Sequence, residues 1–217
     1  QTKYADIAAA YGFDILPGTA TFTDPSTLLV DGRPVRAKSY LIATGAEPTI
    51  PTIPGLEQID YLTSTTAMEL TELPASLVVI GGGFVGLEQA QLFARLGVEV
   101  TIIGRLAPHA EPELSSELRK AFLTDGITVI GDRAATITPH DDLVRVLTRT
   151  GKVATGERVL VATGRTPRTD GLGLATAGIA TDTRGFIIVD EQQRTTNPAV
   201  FAAGDVTDVP QYVYVAA

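Results

Sequence analysis

The chain has 217 residues, of which 44% are hydrophobic and none is cysteine, and its formal net charge is -8. The negative charge argues against a nucleic-acid partner or an anionic membrane surface. The lack of cysteine excludes disulfides, thiolate metal sites and thiol redox catalysis by these residues. No apolar run reaches the roughly 18 residues of a membrane-spanning helix, and the first residues lack a signal-peptide pattern, so we expect a cytoplasmic protein.

The first part of the chain predicts a short helix, a three-stranded meander and an extended linker. The predicted helix and strands cover residues 3–11, 18–22, 27–30 and 35–42. The last strand leads into Ala43-Thr44-Gly45, and prolines then recur through residues 47–55. Because proline fixes φ and lacks an N–H donor, that stretch predicts a linker without regular structure.

The middle of the chain predicts a strand, a glycine turn, a helix and a second strand. Residues 76–80 are apolar and β-branched, which is typical of a buried strand, and residues 98–103 predict the second strand. Between them, three glycines have the spacing G-x-G-x-x-G, namely Gly81, Gly83 and Gly86. Apolar residues then recur at helical spacing up to Gly97, which is a natural helix stop.

Each glycine of this turn has its own physical role in a dinucleotide-binding unit. Gly81 allows the tight bend, Gly83 lets the backbone approach a pyrophosphate, and Gly86 lets the helix pack closely on the strand. The free N–H groups and the positive end of the helix dipole then face the phosphates. The alternative is a glycine-rich turn without a ligand, but the strand before the motif and the helix after it favour dinucleotide binding.

The end of the second strand bears on which nucleotide this unit prefers. An NAD-binding unit usually carries Asp or Glu about 20 residues after the glycines, where the carboxylate accepts hydrogen bonds from the ribose. Here the strand ends Ile103-Gly104-Arg105, and Glu99 comes too early to serve. Arg105 offers a planar cation to a 2′-phosphate, so we expect NADPH, with an ordinary surface arginine as the alternative.

The rest of the chain predicts a helix, a further strand, a second meander and a final strand and turn. The predicted helix and strands cover residues 113–124, 127–130, 135–138, 143–148, 157–162 and 185–190. After residues 200–203, Gly204-Asp205 puts a carboxylate at a strand end, where it can bind a sugar hydroxyl or act only as a turn or cap residue. Residues 212–217 predict the start of a helix.

The two meanders echo each other, and the echo predicts the architecture. Each ends in a strand followed by Ala-Thr-Gly, at residues 43–45 and 162–164. In the second copy a glycine turn precedes that tripeptide, and the same separation counted back from Thr44 falls before Gln1. We therefore expect an α/β fold with two dinucleotide-binding, Rossmann-like domains and β-meander crossovers, in an internal fragment whose first domain is incomplete.

These pieces, in this order, resemble the class I flavin pyridine nucleotide-disulfide oxidoreductases. The resemblance covers essentially the whole chain and is carried by residues 43–55, 81–88, 162–167 and 203–205. Within that family, residues 61–65 and 205–217 are most similar to mercuric reductases. The resemblance implies an FAD-binding part at 1–70, an NADPH-binding domain at 71–165, and a return to the FAD-binding domain at 166–217, before a dimerisation domain.

The resemblance also implies which residues bind FAD. Gly45 and Ala46 would contact FAD through backbone groups, and Asp205 would hydrogen-bond to the ribityl chain. Val213 would offer its N–H near the flavin ring at the start of a helix, where the helix dipole stabilises the negative charge of reduced flavin.

Further residues are implied for the nicotinamide side, in addition to the glycine turn and Arg105. Phe84 would lie over the flavin as an aromatic gate, and Glu88, in the first turn of its helix, would lie near the nicotinamide. Gly164 would line the nucleotide cleft. Alternatively, Phe84 is an ordinary core residue and Glu88 a solvent-facing charge.

For function, the resemblance implies an oxidoreductase in which NADPH reduces FAD, the flavin reduces a cysteine pair, and the thiolates hold Hg(II) during reduction to Hg(0). The intact enzyme would be a homodimer without nucleic-acid or membrane partners. The cysteines would lie outside residues 1–217, so we expect this chain alone to be inactive. Because the FAD-binding domain lacks its pyrophosphate-binding turn, we also expect the chain to hold no stoichiometric FAD. The alternatives are another disulfide reductase, such as a dihydrolipoamide dehydrogenase, and a non-catalytic nucleotide-binding module.

Overall fold

The computed structural model describes residues 2–207 and 209 and divides the chain into two compact units. One unit contains the described residues up to Glu47 together with those from Thr166 onward, and the other is Pro48–Arg165. We call them the outer unit and the inner unit. Residues 48–70 therefore fold with the inner unit, whereas the cofactor assignment of the predicted segments stays a prediction. The predicted helix at 212–217 lies outside the described residues, and so does Val213.

In the inner unit, helices and strands alternate up to residue 130 and four consecutive strands follow, whereas the outer unit is mainly short strands and turns. The helices are α1 (Thr2–Ala10), α2 (Phe84–Arg95) and α3 (Pro112–Thr124), with 3₁₀ turns at Leu56–Gln58 and Thr66–Glu69. The strands are β1 (Ala20–Asp24), β2 (Thr27–Val30), β3 (Arg33–Val35), β4 (Tyr40–Ile42), β5 (Ala46–Pro48), β6 (Leu62–Thr63), β7 (Ser76–Ile80), β8 (Glu99–Ile103), β9 (Thr128–Ile130), β10 (Ala134–His140), β11 (Leu143–Thr148), β12 (Val153–Gly156), β13 (Arg158–Val161), β14 (Arg165–Pro167) and β15 (Val200–Ala202). Among the described residues, no helix is long and apolar enough to cross a membrane.

A five-stranded parallel sheet forms the centre of the inner unit, in the order β6-β13-β7-β8-β9. Its central strand β7 is apolar on both faces, as a parallel sheet covered on both sides requires. Leu77 and Val79 point into one core cluster, and Val78 and Ile80 point into another. The alternation follows from the two-residue period of a strand, which sends successive side chains to opposite faces.

Different elements cover the two faces of this sheet. Ala90 and Phe93 of α2 and Phe122 of α3 pack on the first face. On the second face, the antiparallel meander β10-β11-β12 contributes Ile137 and Val146. The predicted α/β fold, with a βαβ unit around the glycine turn and a meander crossover, is confirmed.

The outer unit combines a second meander with a parallel pair of strands. Strands β1, β2 and β3 form the antiparallel meander, and β4 pairs in parallel with β15. Its core gathers Phe22, Ile42, Ile187 and Val200. The buried side chain of Asn197 donates hydrogen bonds to the carbonyl oxygens of Pro25 (2.9 Å) and Ala177 (2.8 Å), which ties two loops to this core.

Three strand predictions were wrong. Residues 35–42 are two elements, because β3 closes the first meander at Val35 and β4 then joins a parallel pair. Residues 157–162 do not close the second meander, since β12 does so and β13 joins the parallel sheet. Residues 185–190 form no regular strand, and Ile187 makes only isolated bridges to Thr181 and Thr207. Apolar runs show strand character but not where the pairing partner changes.

The two Ala-Thr-Gly tripeptides make matching hydrogen bonds, each within its own unit. In the outer unit the Thr44 hydroxyl donates to the Arg168 carbonyl at 2.7 Å, and the Arg168 N–H donates to the Gly45 carbonyl at 2.9 Å. In the inner unit the Thr163 hydroxyl donates to the Thr49 carbonyl at 2.9 Å, and the Thr49 N–H donates to the Gly164 carbonyl at 2.9 Å. In each unit, the threonine hydroxyl and the glycine carbonyl therefore bind the same residue, which is Arg168 in one unit and Thr49 in the other. We call this pair of hydrogen bonds the threonine clamp.

Replacing a buried residue of the parallel sheet should lower the free energy of unfolding more than replacing an exposed residue. Ile102 in β8 is 0% exposed, whereas Ile50 is 44% exposed. We expect Ile102→Ala to lower the free energy of unfolding by about 2–5 kcal/mol, because it leaves a cavity in a close-packed core. Ile50→Ala should change it by about 0.5 kcal/mol or less. Urea unfolding followed by circular dichroism measures both, and equal losses for the two variants would contradict the assigned core.

Candidate dinucleotide-binding site

The carboxyl ends of three neighbouring strands carry the predicted nucleotide residues of the inner unit. Strand β7 leads into Gly81–Gly83, β8 leads into Gly104-Arg105, and β13 leads into Ala162–Gly164. Because the strands are parallel and adjacent, these three loops meet at one edge of the sheet. The next strand along the chain, β8, lies on one side of β7, whereas the much later strand β13 lies on its other side. Ligands of open α/β sheets bind at such a switch in the strand order.

Backbone groups crowd the glycine turn so closely that side chains do not fit there. A Cβ atom at Gly81 would clash with the Ala162 carbonyl, and one at Gly86 would clash with the Gly81 carbonyl. Sequence reasoning missed Gly82, where a Cβ would clash with the Arg105 carbonyl. The Ala107 N–H also donates to the Gly82 carbonyl at 2.7 Å, so the loop after β8 is fastened to the turn after β7.

Gly83 differs from its neighbours, because a Cβ there would meet nothing within 4 Å. Gly83 is the N-cap of α2, has an extended conformation (φ -76°, ψ 175°), and provides no side-chain cap. The first turn of α2, with N–H groups that have no side-chain cap and with the positive end of the helix dipole, therefore begins at a position that is open on its side-chain face. That arrangement fits a dinucleotide pyrophosphate.

Phe84 and Glu88 both lie on the exposed surface of α2. Phe84 is the first residue of the helix and its side chain is 54% exposed, which excludes the alternative of a core residue within this chain. Glu88 is in the second turn of α2, so its expected place in the first turn is wrong. Its carboxylate is exposed, one turn beyond Phe84 on the same helix.

Arg105 lines a shallow pocket of about 290 Å³ just beyond the end of β8. The pocket is lined by Arg105, Leu106, Pro112, Ser115, Ser116 and Arg119. Sequence reasoning missed its second cation, Arg119, which α3 supplies. Two guanidinium groups and no carboxylate line this pocket, so it favours an anion.

The outer unit brings together the predicted FAD residues that the structure describes. Ala203 donates its N–H to the Ile42 carbonyl at 3.0 Å, so the paired strands β4 and β15 end at the same edge. Gly45 and the buried Ala46 follow β4, and Asp205 lies in the turn after β15. A Cβ at Gly45 would meet nothing within 4 Å, and its φ of 70° favours glycine. An open glycine turn and a carboxylate at one sheet edge fit a flavin dinucleotide.

Among the described residues, the carboxylate with the most strongly lowered pKa lies outside these edges. The Thr150 hydroxyl and the N–H groups of Thr150 and Arg133 donate to Asp132 at 2.6, 2.9 and 2.7 Å. These bonds, led by the hydroxyl, hold the pKa of Asp132 well below its usual range. Asp132 therefore fastens the start of β10 to the turn between β11 and β12, and it belongs to the fold, not to the candidate site.

The sequence profile of the pyridine nucleotide-disulphide oxidoreductases matches residues 1–217, and the chain belongs to that family. Mercuric reductase from Streptomyces lividans is 50% identical over 226 residues, which cover 99% of this chain and 48% of that protein. Mercuric reductase from Lysinibacillus sphaericus is 44% identical, with 99% of this chain and 41% of that protein covered. The chain thus spans about half the length of these relatives or somewhat less.

A solved structure supports the same fold. The HOCl-induced flavoprotein disulfide reductase RclA from Escherichia coli superimposes with a TM-score of 0.90 at 30% identity. The superposition covers 99% of this chain and 51% of that chain. The predicted family and the two-domain dinucleotide-binding fold are therefore confirmed, and the family implies FAD and a pyridine nucleotide as cofactors.

The two glycines Gly83 and Gly86 should respond differently to alanine. We expect Gly83→Ala to change the free energy of unfolding by about 0.5 kcal/mol or less, because its methyl group meets open space. The same methyl should weaken pyridine nucleotide binding about tenfold, since forcing it into a packed contact costs roughly 1–3 kcal/mol. Gly86→Ala should instead destabilise the fold by at least about 1–3 kcal/mol.

Thermal unfolding and calorimetric titration with NADPH measure the two effects for each variant. If Gly83→Ala binds the nucleotide as the parent chain does, the open face of the turn is not where the phosphates bind. The Gly86→Ala variant controls for damage to the fold, since it should lose stability before any ligand is added.

Proposed function

We propose that this chain is the NADPH- and FAD-binding portion of a mercuric reductase that reduces Hg(II) to Hg(0). The proposal is carried by one observation, the sheet edge of the inner unit where an open glycine turn, an uncapped helix and Arg105 converge. The 50% identity to a mercuric reductase over nearly the whole chain supports the substrate. When bound, the two cofactors supply hydride and electron transfer, and the chain supplies position and electrostatics.

Different residues of the inner unit would bind different parts of the dinucleotide. Gly83 lets the backbone reach the pyrophosphate, and the first turn of α2 offers N–H donors to it. We assign exposed Phe84 and Glu88 to the nicotinamide and flavin side of this edge, together with Gly164 after β13. In the outer unit we assign Gly45, Ala46 and Asp205 to FAD. Val213, outside the described residues, keeps its predicted flavin role on the family resemblance alone.

NADPH is the pyridine nucleotide that we propose. No acid ends β8, and Glu99, the acid within this strand, is its first residue. Arg105 follows the strand with its side chain exposed in a pocket that contains a second arginine. A guanidinium binds a phosphate through paired charge-assisted hydrogen bonds, whereas an NAD-binding unit needs a carboxylate at this place.

Hg(II) reduction also requires groups that this chain does not contain. Hg(II) is soft and thiolate sulfur is its matching ligand, but none of the 217 residues is cysteine. We therefore propose that the thiolates belong to another part of the enzyme, which is consistent with relatives about twice as long. The proposed enzyme is a homodimer, as the family resemblance implies.

Nucleotide preference tests the role of Arg105. We expect the chain to bind NADPH more tightly than NADH, and Arg105→Ala to weaken NADPH binding by about 10–150-fold, since a charge-assisted contact is worth roughly 1.5–3 kcal/mol. NADH binding should stay unchanged. Arg149→Ala, which removes an exposed arginine of the β11–β12 turn, is the matched control. Calorimetric titration measures the affinities of all three proteins for both nucleotides, and equal binding of the two nucleotides by the parent chain would reject NADPH preference.

A chimaera tests whether the chain performs its proposed part. This chain would replace the matching half of the Streptomyces lividans mercuric reductase, which supplies the remaining parts of the enzyme. We expect the purified chimaera to hold FAD and to oxidise NADPH faster when Hg(II) is added, followed by the loss of NADPH absorbance. Asp205→Ala in the chimaera should lower its flavin content.

The substrate is tested on the native protein that carries this chain. Hg(II)-stimulated NADPH oxidation by that protein supports a mercuric reductase. If the native protein instead reduces lipoamide or glutathione disulfide and is only inhibited by Hg(II), the mercury assignment fails and membership of the family stands. A chimaera that holds FAD but oxidises no NADPH would reject the proposed role of this chain in binding NADPH.

A further inference from the structure

We propose that Arg119 of α3 is a specificity-determining residue that binds the 2′-phosphate of NADPH together with Arg105. The proposal rests on the NADPH preference proposed above and adds a second element to it. Its observation is the pocket of about 290 Å³ beyond β8, to which the loop after β8 contributes Arg105 and α3 contributes Arg119.

The exposed Arg119 guanidinium lines this pocket and lies beside the neighbouring strand β9. Its Nη1 lies 3.5 Å from the Val129 carbonyl of β9, which is at the limit of a hydrogen bond. Its Nη2 would lie 3.2 Å from a Cβ at Gly131, so the missing side chain of Gly131 leaves room for the guanidinium. Because arginine has five N–H donors in a fixed fork, this weak contact orients the group and leaves donors for an anion.

Ser115 fixes the distance between α3 and the loop that carries Arg105. Its hydroxyl donates to the Leu106 carbonyl at 3.1 Å and lies 3.4 Å from the Ala107 carbonyl. The Ala107 N–H donates in turn to Gly82 of the glycine turn. A continuous chain of hydrogen bonds therefore connects α3, the loop after β8 and the glycine turn, so that the backbone positions carrying the two arginines are fixed relative to the turn.

The charge around the pocket favours a doubly charged anion. None of the lining residues is acidic, and neither Arg105 nor Arg119 forms an ion pair with a carboxylate within the part of the chain that the structure describes. Two cations thus face one small pocket in a chain of net charge -8. A phosphate monoester, with a charge near -2 at pH 7, neutralises both. Ser116 adds an exposed hydroxyl at the rim.

The position of the pocket favours a phosphate on the ribose over a free phosphate. It begins at Arg105, directly after the strand whose end recognises the adenosine ribose in dinucleotide-binding units. A ribose that follows a pyrophosphate bound at Gly83 would therefore present its 2′ position toward the two arginines. A free phosphate has no such connection to the glycine turn.

Two small nucleotides distinguish binding of the 2′-phosphate from binding of the rest of the nucleotide. Adenosine 2′,5′-bisphosphate and adenosine 5′-monophosphate differ only in the 2′-phosphate, and both are titrated calorimetrically into the parent chain, Arg119→Ala, Arg119→Lys and Lys120→Ala. Lys120 is the neighbouring cation on α3 and pairs with Glu117 at 2.7 Å, so it serves as the matched control. We expect Arg119→Ala to weaken binding of the bisphosphate roughly 10–100-fold and that of the monophosphate less than about twofold. Arg119→Lys should recover part of the loss, and Lys120→Ala should change neither affinity.

Three outcomes would overturn the inference. Equal weakening of both probes by Arg119→Ala would indicate a structural role, and no weakening would exclude Arg119 from the site. Inorganic phosphate that competes as well as the bisphosphate would show a free-anion pocket. The proposed dinucleotide function fails differently, because a parent chain that binds neither NADPH nor NADH has no such site at all.

Discussion

Backbone crowding around the turn after β7 is the constraint on which the inner unit depends. Carbonyl groups of three different loops approach Gly81, Gly82 and Gly86 so closely that a single methyl group would collide with them. This crowding sets how α2 leaves the sheet and where the loop after β8 runs. It also leaves Gly83 as the one open position of the turn. The same packing therefore shapes the fold and exposes the face on which phosphates would bind.

The two Ala-Thr-Gly tripeptides make the same pattern of hydrogen bonds in the two units. In each unit a buried or half-buried strand ends, a threonine hydroxyl fixes the incoming chain, and a glycine carbonyl accepts from the same chain. Threonine suits this task because its hydroxyl both donates a bond and sits on a stiff, β-branched side chain. The tripeptides therefore have a mechanical role beside any contact with a cofactor.

Much of the fold could be read from the sequence, and the exceptions have physical causes. Strands β7 and β11 have the predicted bounds, since isolated apolar runs between turn residues leave little ambiguity. The prediction at 35–42 failed because the polar residues Arg36, Lys38 and Ser39 separate two short strands that pair in different sheets. The strand at 157–162 exists, but nothing local shows that it pairs with β7 and not with the meander. The open face at Gly83 followed from the motif, whereas Arg119 did not, because nothing local relates a residue on α3 to the end of β8.

The threonine clamp of the inner unit also brings the two ends of that unit together in space. Thr49 and Gly164, near the two ends of Pro48–Arg165, are joined by a 2.9 Å hydrogen bond, so the inner unit starts and finishes at one point. A segment whose ends meet can be spliced into a host without stretching it, which is the geometry that tolerates domain insertion and circular permutation. The outer unit, in contrast, is discontinuous in sequence, and its strands β4 and β15 pair across the whole inserted segment. The contacts that close the inner unit all lie within Pro48–Arg165, whereas the outer sheet pairs residues that are separated by that whole segment, so its loop closure spans more of the chain.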